Sequence, residues 1–441
     1  MALTHFGTDG IRGEYGGSKL NDALAYRAGV AAAIVAKSNG ETAPTMIVGR
    51  DTRASGAALL GALAAGFASE GGTIESIGVV PTPAVAKIVS QGEASLGCAI
   101  TASHNPYTDN GIKFFQSNGT KPSAEMEQAL DDAVSATAPP ETLFSRKIRD
   151  GANERVSDYG SYVKGAFPSD LLKGKRIALD CANGATCQIA GDLFEHFGAT
   201  TVRIGCSPNG ANINEGVGSE CPQAMQSLFA NERFDMGFAF DGDGDRMIAF
   251  DENGNPLAGE ATLGLLAIHA KAAGTLRADT LVTTLQSNLG LDDALKHEGI
   301  AVVRVDIGDK FVARLMLAEG YSLGGEESGH VVVGAHSLTG DGLVAALSVA
   351  QAAVDSGAPL SALAAFYAPF PQQTRAIRVS AKPPIEDCPR LQATIEALRA
   401  EFGEEGRLLV RYSGTEPKIR LLVEAKTNAI TEEAIARHER A

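Results

Sequence analysis

Short apolar segments alternate with helical segments through most of this chain, and this alternation limits its fold more than any other feature. Apolar runs such as Thr45–Gly49, Ser95–Thr101 and Lys175–Asp180 predict strands. Helical stretches follow over about Ser55–Glu70 and about Ala185–Phe197. A strand followed by a helix and a further strand is typical of a βαβ unit, so we expect an α/β fold with mainly parallel sheets.

The length of the chain predicts several domains. Its 441 residues correspond to about three domains of ordinary size, and a hydrophobic content of 44% is typical of globular proteins. Proline-rich and Asn-rich segments mark the candidate boundaries. We expect α/β domains over residues 1–152, 153–253 and 254–368, and a smaller α+β domain over residues 369–441. The run after Ile430 is short for a final helix.

Charge and cysteine content disfavour several classes of function. The formal net charge of -15 disfavours nucleic acid and anionic membranes as partners, although an anionic small molecule could bind at local Lys and Arg clusters. No apolar run reaches the ~18 residues of a membrane span, and the first residues lack the pattern of a signal peptide. The cysteines form no zinc-like pairs and predict free thiols in the cytoplasm.

The most specific motif is Asp241–Arg246 (DGDGDR), which directly follows an apolar strand. Carboxylate oxygens suit hard cations such as Mg²⁺, and the intervening glycines permit a tight loop. A solvated acidic turn is the alternative. An EF-hand is disfavoured, because Arg246 stands where its loop requires glycine. The pattern therefore predicts a metal site on Asp241, Asp243 and Asp245.

A second motif, Thr101–Pro106 (TASHNP), stands at the end of another apolar strand. Active sites of α/β proteins lie where strands end, so Ser103 is a candidate nucleophile, and a simple turn is an equal alternative. Neighbours at a strand end point in different directions, which favours a structural role for His104. Lys113 follows closely, although a lone lysine is usually a solvated surface charge.

Two later segments combine glycine with polar side chains. Gly324–His330 (GGEESGH) lies between apolar strands, and a glycine-rich hairpin is its simplest interpretation. Its Glu326 and Ser328 could bind sugar hydroxyls, while His330 could transfer a proton or bind phosphate. Arg411–Arg420 (RYSGTEPKIR) brings hydroxyls, glycine and basic residues into one loop. That composition suits a phosphate site, and an ordinary loop between strands is the alternative.

The N-terminal motif Phe6–Gly13 (FGTDGIRG) contains three glycines. No predicted strand precedes them, so the motif does not match a dinucleotide-binding fingerprint. Its Arg12 is a candidate phosphate ligand or a fold-stabilising charge. P-loop, HExxH and GxSxG patterns are absent from the sequence, which disfavours nucleotide hydrolysis, zinc proteolysis and α/β-hydrolase chemistry.

Taken together, the motifs resemble the α-D-phosphohexomutase superfamily. FGTDGIRG, TASHNP, DGDGDR, GEESGH and RYSGTEPKIR occur in this order along the whole chain. The segments DNGIKFF, CANGAT, PNGANIN, SNLGL and SGTEPKIR are most similar to the bacterial members that act on glucosamine phosphate. The resemblance implies a four-domain architecture, in which three α/β domains with mixed sheets and a smaller C-terminal α+β domain surround a central cleft.

The resemblance also implies an activity, the interconversion of glucosamine 6-phosphate and glucosamine 1-phosphate on the route to UDP-N-acetylglucosamine. The implied cofactors are one Mg²⁺ per chain, a phosphoserine at Ser103, and glucosamine 1,6-bisphosphate or glucose 1,6-bisphosphate as activator. The implied partner is a small hexosamine phosphate. The sequence does not decide the oligomeric state, and a homodimer is compatible with it.

The superfamily pattern assigns a role to each motif residue. The implied metal ligands are Ser103, Asp241, Asp243 and Asp245. The residues implied to line the transfer site are Arg12, Lys113, Arg246 and His330, with Lys113 and His330 as alternative general bases. The residues implied to bind the sugar are Glu326 and Ser328, and those implied to bind its non-reacting phosphate are Arg411, Ser413, Gly414, Thr415 and Arg420.

Two residues depart from the superfamily pattern. Lys310 stands where arginine is expected, and Glu327 stands where an uncharged side chain is usual, which bears on the choice of sugar. Three alternative functions remain. The chain could be a phosphomannomutase/phosphoglucomutase of the same superfamily, a phosphatase, or a catalytically silent sugar-phosphate-binding protein. The last is disfavoured, because a silent protein has no chemical need for Ser103 and three aspartates together.

Overall fold

The computed structural model divides into two compact units. It describes residues 3–7, 9–140, 148–337, 339–403, 406–412 and 417–439. The larger unit comprises Met1–Leu285 with Val302–Ala364, and the smaller comprises Gln286–Ala301 with Ala365–Ala441. Within the described ranges, no helix is both long enough and apolar enough to span a bilayer. All six cysteines carry free thiols, as expected.

The first sheet of the larger unit is mixed. Its strands are β1 (Ile11–Glu14), β2 (Thr45–Arg50), β3 (Thr73–Val79), β4 (Leu96–Ile100), β5 (Asp109–Gln116) and β6 (Arg149–Asp150). The helices of this part of the chain are α1 (Asp22–Ser38), α2 (Gly56–Ser69), α3 (Thr82–Ile88), α4 (Ala124–Ala136) and α5 (Ala152–Ala166). The strand order is β1-β5-β4-β2-β3-β6. Strand β2 runs parallel to β3 and β4, whereas β5 is antiparallel to both of its neighbours.

The second sheet has the order β10-β9-β7-β8. Its strands are β7 (Arg176–Asp180), β8 (Thr200–Ile204), β9 (Met236–Phe240) and β10 (Met247–Phe250), and its helices are α6 (Ala190–His196) and α7 (Pro222–Asn231). Strand β7 is parallel to β8 and β9, and β10 returns antiparallel to β9. The single helix predicted after β7 is wrong, because Ile189 leaves the helical region with φ of -120° and separates a short 3₁₀ turn from α6.

The third sheet has the order β12-β11-β13-β14. Its strands are β11 (Thr280–Thr284), β12 (Ala301–Val305), β13 (Leu323–Gly325) and β14 (Val331–Val333). The helices in this stretch are α8 (Gly259–Ala272), α9 (Gly290–His297), α10 (Asp309–Glu319), α11 (Gly342–Ser356) and α12 (Leu360–Leu363). Helix α9 belongs to the smaller unit. Strand β13 pairs with β11 in parallel and with β14 as an antiparallel hairpin.

The smaller unit carries an antiparallel sheet in the order β15-β17-β16. Its strands are β15 (Gln372–Arg378), β16 (Gly406–Tyr412) and β17 (Lys418–Ala425), with helices α13 (Pro389–Phe402) and α14 (Asn428–Glu439). Leu398, Phe402, Leu408 and Val423 belong to its buried core. A final helix of 12 residues is present. It begins at Asn428, two residues ahead of Ile430.

Close helix packing supports the first sheet. Helices α1 and α2 approach each other at two glycines, where a side chain would collide with the partner backbone. A Cβ on Gly29 would lie 2.1 Å from the Leu63 carbonyl oxygen, and one on Gly66 would lie 1.9 Å from that of Tyr26.

Strands β2, β4 and β7 confirm the strands predicted from the apolar runs. The first three sheets combine parallel pairs with antiparallel ones and are therefore mixed, as the resemblance implied, whereas the sheet of the smaller unit is wholly antiparallel.

Candidate active site

Ser103 lies in the loop after β4, and its side chain is buried. Its backbone is left-handed, with φ of 53°, which costs a non-glycine residue energy and must be supported by its surroundings. Thr101 gives local support, because its Oγ1 accepts a hydrogen bond from the Ser103 N–H at 2.9 Å. Ser103 Oγ donates to Asp241 Oδ2 at 2.5 Å. The turn therefore directs the serine hydroxyl towards the aspartate loop.

Asp241, Asp243 and Asp245 occupy the loop between β9 and β10, and all three side chains are buried. One oxygen from each carboxylate lies within 4.8 Å of the other two. Gly242 allows the serine loop to approach, because a Cβ there would lie 2.6 Å from the Ser103 carbonyl oxygen. The alternating sequence thus brings three carboxylates to one point beside the serine, which a solvated acidic turn would not do.

Burial and neighbouring charges shift the pKa values of Asp241 and Asp245 in opposite directions. Burial, together with the charges of Asp243 and Asp245, raises the pKa of Asp241 well above its ordinary value. Burial alone would also raise the pKa of Asp245, but Lys113 and His330 outweigh it and lower that pKa. The ionisation of the loop therefore depends on the cations that face it.

Lys113, on β5, is the main counter-charge of the aspartate loop. Its Nζ lies 2.8 Å from Asp243 Oδ2 and 3.1 Å from Asp245 Oδ2. The same atom lies 3.0 Å from Asp9 Oδ2 in the N-terminal motif. Burial disfavours the ammonium, but these carboxylates hold the pKa of Lys113 well above its ordinary value. Lys113 is thus a buried cation, not the solvated surface lysine that the sequence taken alone favours.

The aspartate loop fits a divalent cation. Asp243 Oδ1 and Asp245 Oδ1 are buried and have no hydrogen-bond partner within the described part of the chain. Buried oxygens without a partner are rare, and a bound cation would satisfy both. Carboxylate oxygens are the ligands that Mg²⁺ and similar ions prefer, and Ser103 Oγ reaches the same point through Asp241. The donor set therefore suits a hard divalent metal ion.

The segment Gly324–His330 forms the tip of the β13–β14 hairpin, as the simplest interpretation predicted. The His330 side chain turns inward, with Nδ1 3.5 Å from Asp309 Oδ2 and 3.6 Å from Glu326 Oε2. Ser328 is half-buried at the tip. A backbone bridge between Arg246 and His330 joins the hairpin to the aspartate loop. The hairpin and the metal loop are therefore parts of one site.

The imidazole of His330 is a cation at neutral pH. Burial alone would lower its pKa, but Asp309 and Asp245 raise it, to about 9. His330 Nε2 lies 3.9 Å from Asp245 Oδ2. Like Lys113, His330 therefore contributes positive charge beside the aspartates and, in this state, holds its proton.

Two arginines add unsatisfied donors at the same place. Arg12, on β1, donates to Asp9 Oδ2 at 2.6 Å. Arg246 NH1 lies 3.9 Å from Glu220 Oε1. The Nε atoms of Arg12 and Arg246 are buried and lack a hydrogen-bond partner among the described residues. Both guanidinium groups can therefore still bind an anionic ligand.

His104 lies closer to the serine than the sequence argument predicted. Its Nδ1 is 3.5 Å from Ser103 Oγ. The left-handed turn at Ser103 brings the two neighbouring side chains together, whereas an extended strand end would separate them. Burial, followed by the charge of Arg246 and then that of Arg12, lowers the pKa of His104. This imidazole is therefore neutral near pH 7.

A row of arginines marks the predicted phosphate loop in the smaller unit. Arg411 on β16 lies directly opposite Arg420 on β17. Both line a cavity of about 460 Å³, together with Arg375. Planar guanidinium groups bind anions through charge-assisted hydrogen bonds, which makes this cavity a candidate anion site. The hydroxyl-rich part of the loop, with Ser413, Gly414 and Thr415, lies outside the described residues.

Several buried ionic residues were missed by the sequence analysis. Lys121 Nζ connects Asp9, the partner of Lys113, to Asp309, the partner of His330. It lies 2.6 Å from Asp9 Oδ1 and also pairs with Asp309. Asp51 and Arg53 are both fully buried just after β2. The position of two charged residues immediately after a predicted strand was a usable signal, because neighbouring parallel strands end at one edge of a sheet.

The two departures from the superfamily pattern have different surroundings. Lys310 Nζ is 3.0 Å from both carboxylate oxygens of Glu127 on α4, which gives the lysine a buried partner. Glu327 accepts a hydrogen bond from Thr284 Oγ1 at 3.4 Å. Burial, with the charges of Glu326 and Glu260, raises the pKa of Glu327 to about 7. Glu327 is therefore partly protonated near neutral pH.

The raised pKa of Glu327 predicts that ionisation of this buried side chain lowers the free energy of unfolding. The folded protein retains the Glu327 proton up to about pH 7, against an ordinary value of 4.5. The loss in the free energy of unfolding is therefore absent below about pH 4.5 and reaches its full size above about pH 7. Glu327→Gln should raise the melting temperature at pH 8 by roughly 2–4 °C and leave it unchanged at pH 4.5. Calorimetric melting against the exposed variant Glu41→Gln measures this, and an equal gain at both pH values would contradict it.

The fit of the aspartate loop to a cation predicts a metal-binding defect. Asp243→Asn removes one negative ligand, so Mg²⁺ affinity measured by titration calorimetry should fall at least about tenfold. Asp192→Asn is the matched control. It makes the same charge change at an exposed position on α6, the helix between β7 and β8. Equal Mg²⁺ affinity in the two variants would rule out a metal role for Asp243.

Comparison with known proteins agrees with this geometry. The description "Phosphoglucomutase/phosphomannomutase" matches the chain in four segments, one for each family domain. The alpha/beta/alpha domains I, II and III match residues 3–140, 157–254 and 258–370, and the C-terminal domain matches residues 376–440. These matches confirm the four-domain architecture, while the individual boundary residues stay predictions.

Curated bacterial proteins resemble the chain over nearly its whole length. Phosphoglucosamine mutase of Bacillus subtilis is 40% identical, covering 98% of this chain and 97% of that protein. Phosphoglucosamine mutase of Zymomonas mobilis is 42% identical, covering 97% of this chain and 96% of that protein.

Solved structures share the fold at lower sequence identity. A phosphoglucomutase/phosphomannomutase family protein of Burkholderia thailandensis has a TM-score of 0.80 and 23% identity, covering 99% of this chain and 96% of its own. N-acetylphosphoglucosamine mutase of Aspergillus fumigatus, in complex with GlcNAc-6P and magnesium, has a TM-score of 0.69 and 16% identity, covering 100% and 95%. The four matched segments and the full-length bacterial relatives show that this chain belongs to the phosphoglucomutase/phosphomannomutase family of the phosphohexomutase superfamily.

Proposed function

We propose that the chain interconverts glucosamine 6-phosphate and glucosamine 1-phosphate through a phosphoserine at Ser103 and a bisphosphate intermediate. The observation that carries the proposal is the buried Ser103 hydroxyl, whose Oγ lies 2.5 Å from Asp241 Oδ2. Asp241 belongs to the loop of three carboxylates that suits a metal ion. The choice of glucosamine rests on the full-length relatives at 40% and 42% identity, which are phosphoglucosamine mutases.

The proposed reaction has two balanced phosphoryl transfers. In the first, the bond between phosphorus and Ser103 Oγ breaks, and a free hydroxyl oxygen of the sugar monophosphate forms a bond to the same phosphorus. The product is a sugar bisphosphate. In the second, the bond between the other phosphate and its sugar oxygen breaks, and Ser103 Oγ forms a bond to that phosphorus, which releases the isomeric sugar monophosphate. A trace of glucosamine 1,6-bisphosphate or glucose 1,6-bisphosphate would phosphorylate the resting serine and act as activator.

The charges of the site suit this transfer, which depends mainly on positioning and charge neutralisation. Asp241, Asp243 and Asp245 would hold one Mg²⁺, which supplies positive charge to the transferring phosphoryl oxygens. Lys113 and His330 are buried cations beside the same loop. The protein can therefore surround a phosphoryl group with positive charge, although its formal net charge is -15.

The proposed reaction also requires groups that donate and accept protons. The sugar hydroxyl must lose a proton as it attacks, and the serine oxygen must gain one when it is released. Lys113 and His330 both hold their protons at neutral pH, so they suit the donor role. His104 is neutral, and its Nδ1 lies 3.5 Å from Ser103 Oγ. We therefore propose His104 as an additional candidate for accepting the proton that the sugar hydroxyl loses.

The sugar and the non-reacting phosphate need their own ligands. We assign Glu326 and Ser328 to the sugar hydroxyls, and Arg12 and Arg246 to the transferring phosphate. The Arg411–Arg420 loop of the smaller unit is assigned to the other phosphate. The opposed pair Arg411 and Arg420 supports that assignment, because planar guanidinium groups can each bind phosphate through two hydrogen bonds.

The small-molecule partner in this proposal is a hexosamine phosphate, and the proposed compartment is the cytoplasm, which agrees with six free thiols. Phosphomannomutase/phosphoglucomutase activity is the competing function within the family. Initial rates on glucosamine, glucose and mannose phosphates at equal concentration distinguish the two. Free phosphate released in the same assays would reveal a phosphatase.

The phosphoserine proposal predicts a specific loss in Ser103→Ala. Intact-mass analysis should find a phosphorylated fraction of the native chain that peptide mapping assigns to Ser103. The variant should lose this fraction and at least about a thousandfold of its activity, because it lacks the group that carries the phosphoryl. The assay couples glucosamine 6-phosphate turnover to product detection, with Mg²⁺ and a trace of sugar bisphosphate. Ser227→Ala, on exposed α7, is the control, and full activity in Ser103→Ala would refute the mechanism.

The phosphate-loop proposal predicts a substrate-binding defect in Arg420→Ala. A charge-assisted hydrogen bond contributes roughly 1.5–3 kcal/mol, so kcat/KM should fall about ten- to a hundredfold. The loss should lie mainly in KM if the grip is equal in ground and transition states. Serine phosphorylation and Mg²⁺ affinity should hardly change. The exposed Arg390→Ala of the same unit is the control, and unaltered kinetics in Arg420→Ala would make the loop purely structural.

A further inference from the structure

Arg53 is a buried arginine that bonds the serine loop rather than a ligand. It has 0% relative exposure, immediately after β2. Its NH2 donates to the carbonyl oxygens of Ser103 at 3.0 Å and Asn105 at 2.8 Å. Its NH1 donates to the carbonyl oxygens of Asp109 at 2.9 Å and Pro106. One guanidinium group therefore gathers four backbone carbonyls from residues 103–109.

Asp51 fixes the orientation of this guanidinium. Its Oδ2 accepts a hydrogen bond from Arg53 Nε at 2.8 Å, and the Arg53 backbone N–H donates to its Oδ1 at 3.0 Å. The same carboxylate accepts the Thr101 hydroxyl at 2.6 Å. Thr101 Oγ1 in turn accepts the Ser103 N–H at 2.9 Å. The peptide groups on both sides of Ser103 are thus tied to one buried ion pair.

Asn214 reaches the same carbonyls from the segment that follows β8. Its Nδ2 donates to the carbonyl oxygen of Ser103 at 2.9 Å and to that of Asn105 at 3.0 Å. Asn214 is itself left-handed, with φ of 59°, a conformation that asparagine tolerates better than most residues. The Ser103 carbonyl oxygen therefore accepts two hydrogen bonds, one from Arg53 and one from Asn214.

We propose that Arg53 and Asn214 are positioning residues that hold Ser103 in its left-handed conformation, so that its hydroxyl faces the aspartate loop. The inference rests on the proposed function. A serine at φ of 53° relaxes towards negative φ unless its peptide groups are held. Such a rotation would swing Oγ away from Asp241. Because both donors bond to main-chain oxygens and neither reaches Ser103 Oγ, they act through the serine.

The energetic cost of burying Arg53 also favours this role. A buried ion pair is often no more stable than an apolar replacement, so its presence is better explained by a specific geometry. Here every named donor of the Arg53 side chain goes either to Asp51 or to the serine loop. The pair therefore orders a reactive loop, and an apolar core residue could not do this.

The test compares two asparagines of the same fold. Asn214→Gly keeps the positive φ accessible and removes both donors to the serine loop. Asn183→Gly is the matched control, because Asn183 has φ of 50°, while its amide bonds Ser207 and Asn212 instead. Arg53→Lys is a second variant. It keeps a charge for Asp51, but its ammonium has three donors and cannot serve four carbonyls.

We expect kcat of Asn214→Gly to fall about ten- to a hundredfold, with KM for glucosamine 6-phosphate within about twofold of the native value. Phosphorylation of Ser103 by sugar bisphosphate, followed by intact mass, should slow by the same factor. Arg53→Lys should lose at least as much kcat. Asn183→Gly should keep native kcat. Hydrogen exchange over residues 101–109 should quicken in Asn214→Gly and Arg53→Lys but not in Asn183→Gly.

Two results would overturn the inference in distinguishable ways. If native protein turns over normally and Asn214→Gly matches Asn183→Gly in kcat, phosphorylation rate and hydrogen exchange, the positioning role is wrong and the proposed function stands. If native protein neither becomes phosphorylated nor turns over glucosamine 6-phosphate, the proposed function fails and the inference fails with it. Melting curves of each variant confirm that the compared proteins are folded.

Discussion

The charge balance around the aspartate loop is the constraint on which the rest of the larger unit depends. Three carboxylates share one buried loop, and each would repel the others without a cation in contact. Lys113 supplies that cation from the first sheet, and His330 supplies a second from the hairpin of the third sheet. The loop itself belongs to the second sheet. Electrostatic compensation therefore joins residues from all three sheets at a single point.

The same balance explains how an acidic protein can handle an anionic substrate. The formal net charge of -15 repels phosphate at long range. At the site, Lys113 and His330 place positive charge within 3.9 Å of the aspartate loop, and the charges of Arg246 and Arg12 act on His104 beside Ser103. Burial keeps these charges effective, because water and salt screen buried pairs far less than exposed ones. The local field therefore opposes the long-range field of the whole protein at the place where phosphate chemistry is proposed.

Sequence patterns predicted much of the site, within a limit that has a physical cause. DGDGDR and TASHNP each stand at a strand end, and the structure brings their Asp241 and Ser103 within 2.5 Å. Their chemical roles stay predictions. An extended strand end would separate His104 from Ser103, as predicted, whereas the backbone is left-handed there and brings the two side chains together. The position of Arg53 just after a predicted strand was a usable signal, but its partners lie about fifty residues away, and no local pattern identifies them.

By itself the sequence determined the α/β class, the four-part organisation and the residue types of the site, because strand and helix periodicity and short motifs are local properties of a chain. Only the tertiary structure decided the protonation and partners of those residues. A lysine that is solvated by default becomes a buried counter-ion in Lys113, and His330 gains a pKa of about 9. The physical reason is that burial and charge depend on which distant strands meet, and that is fixed by packing across the whole fold.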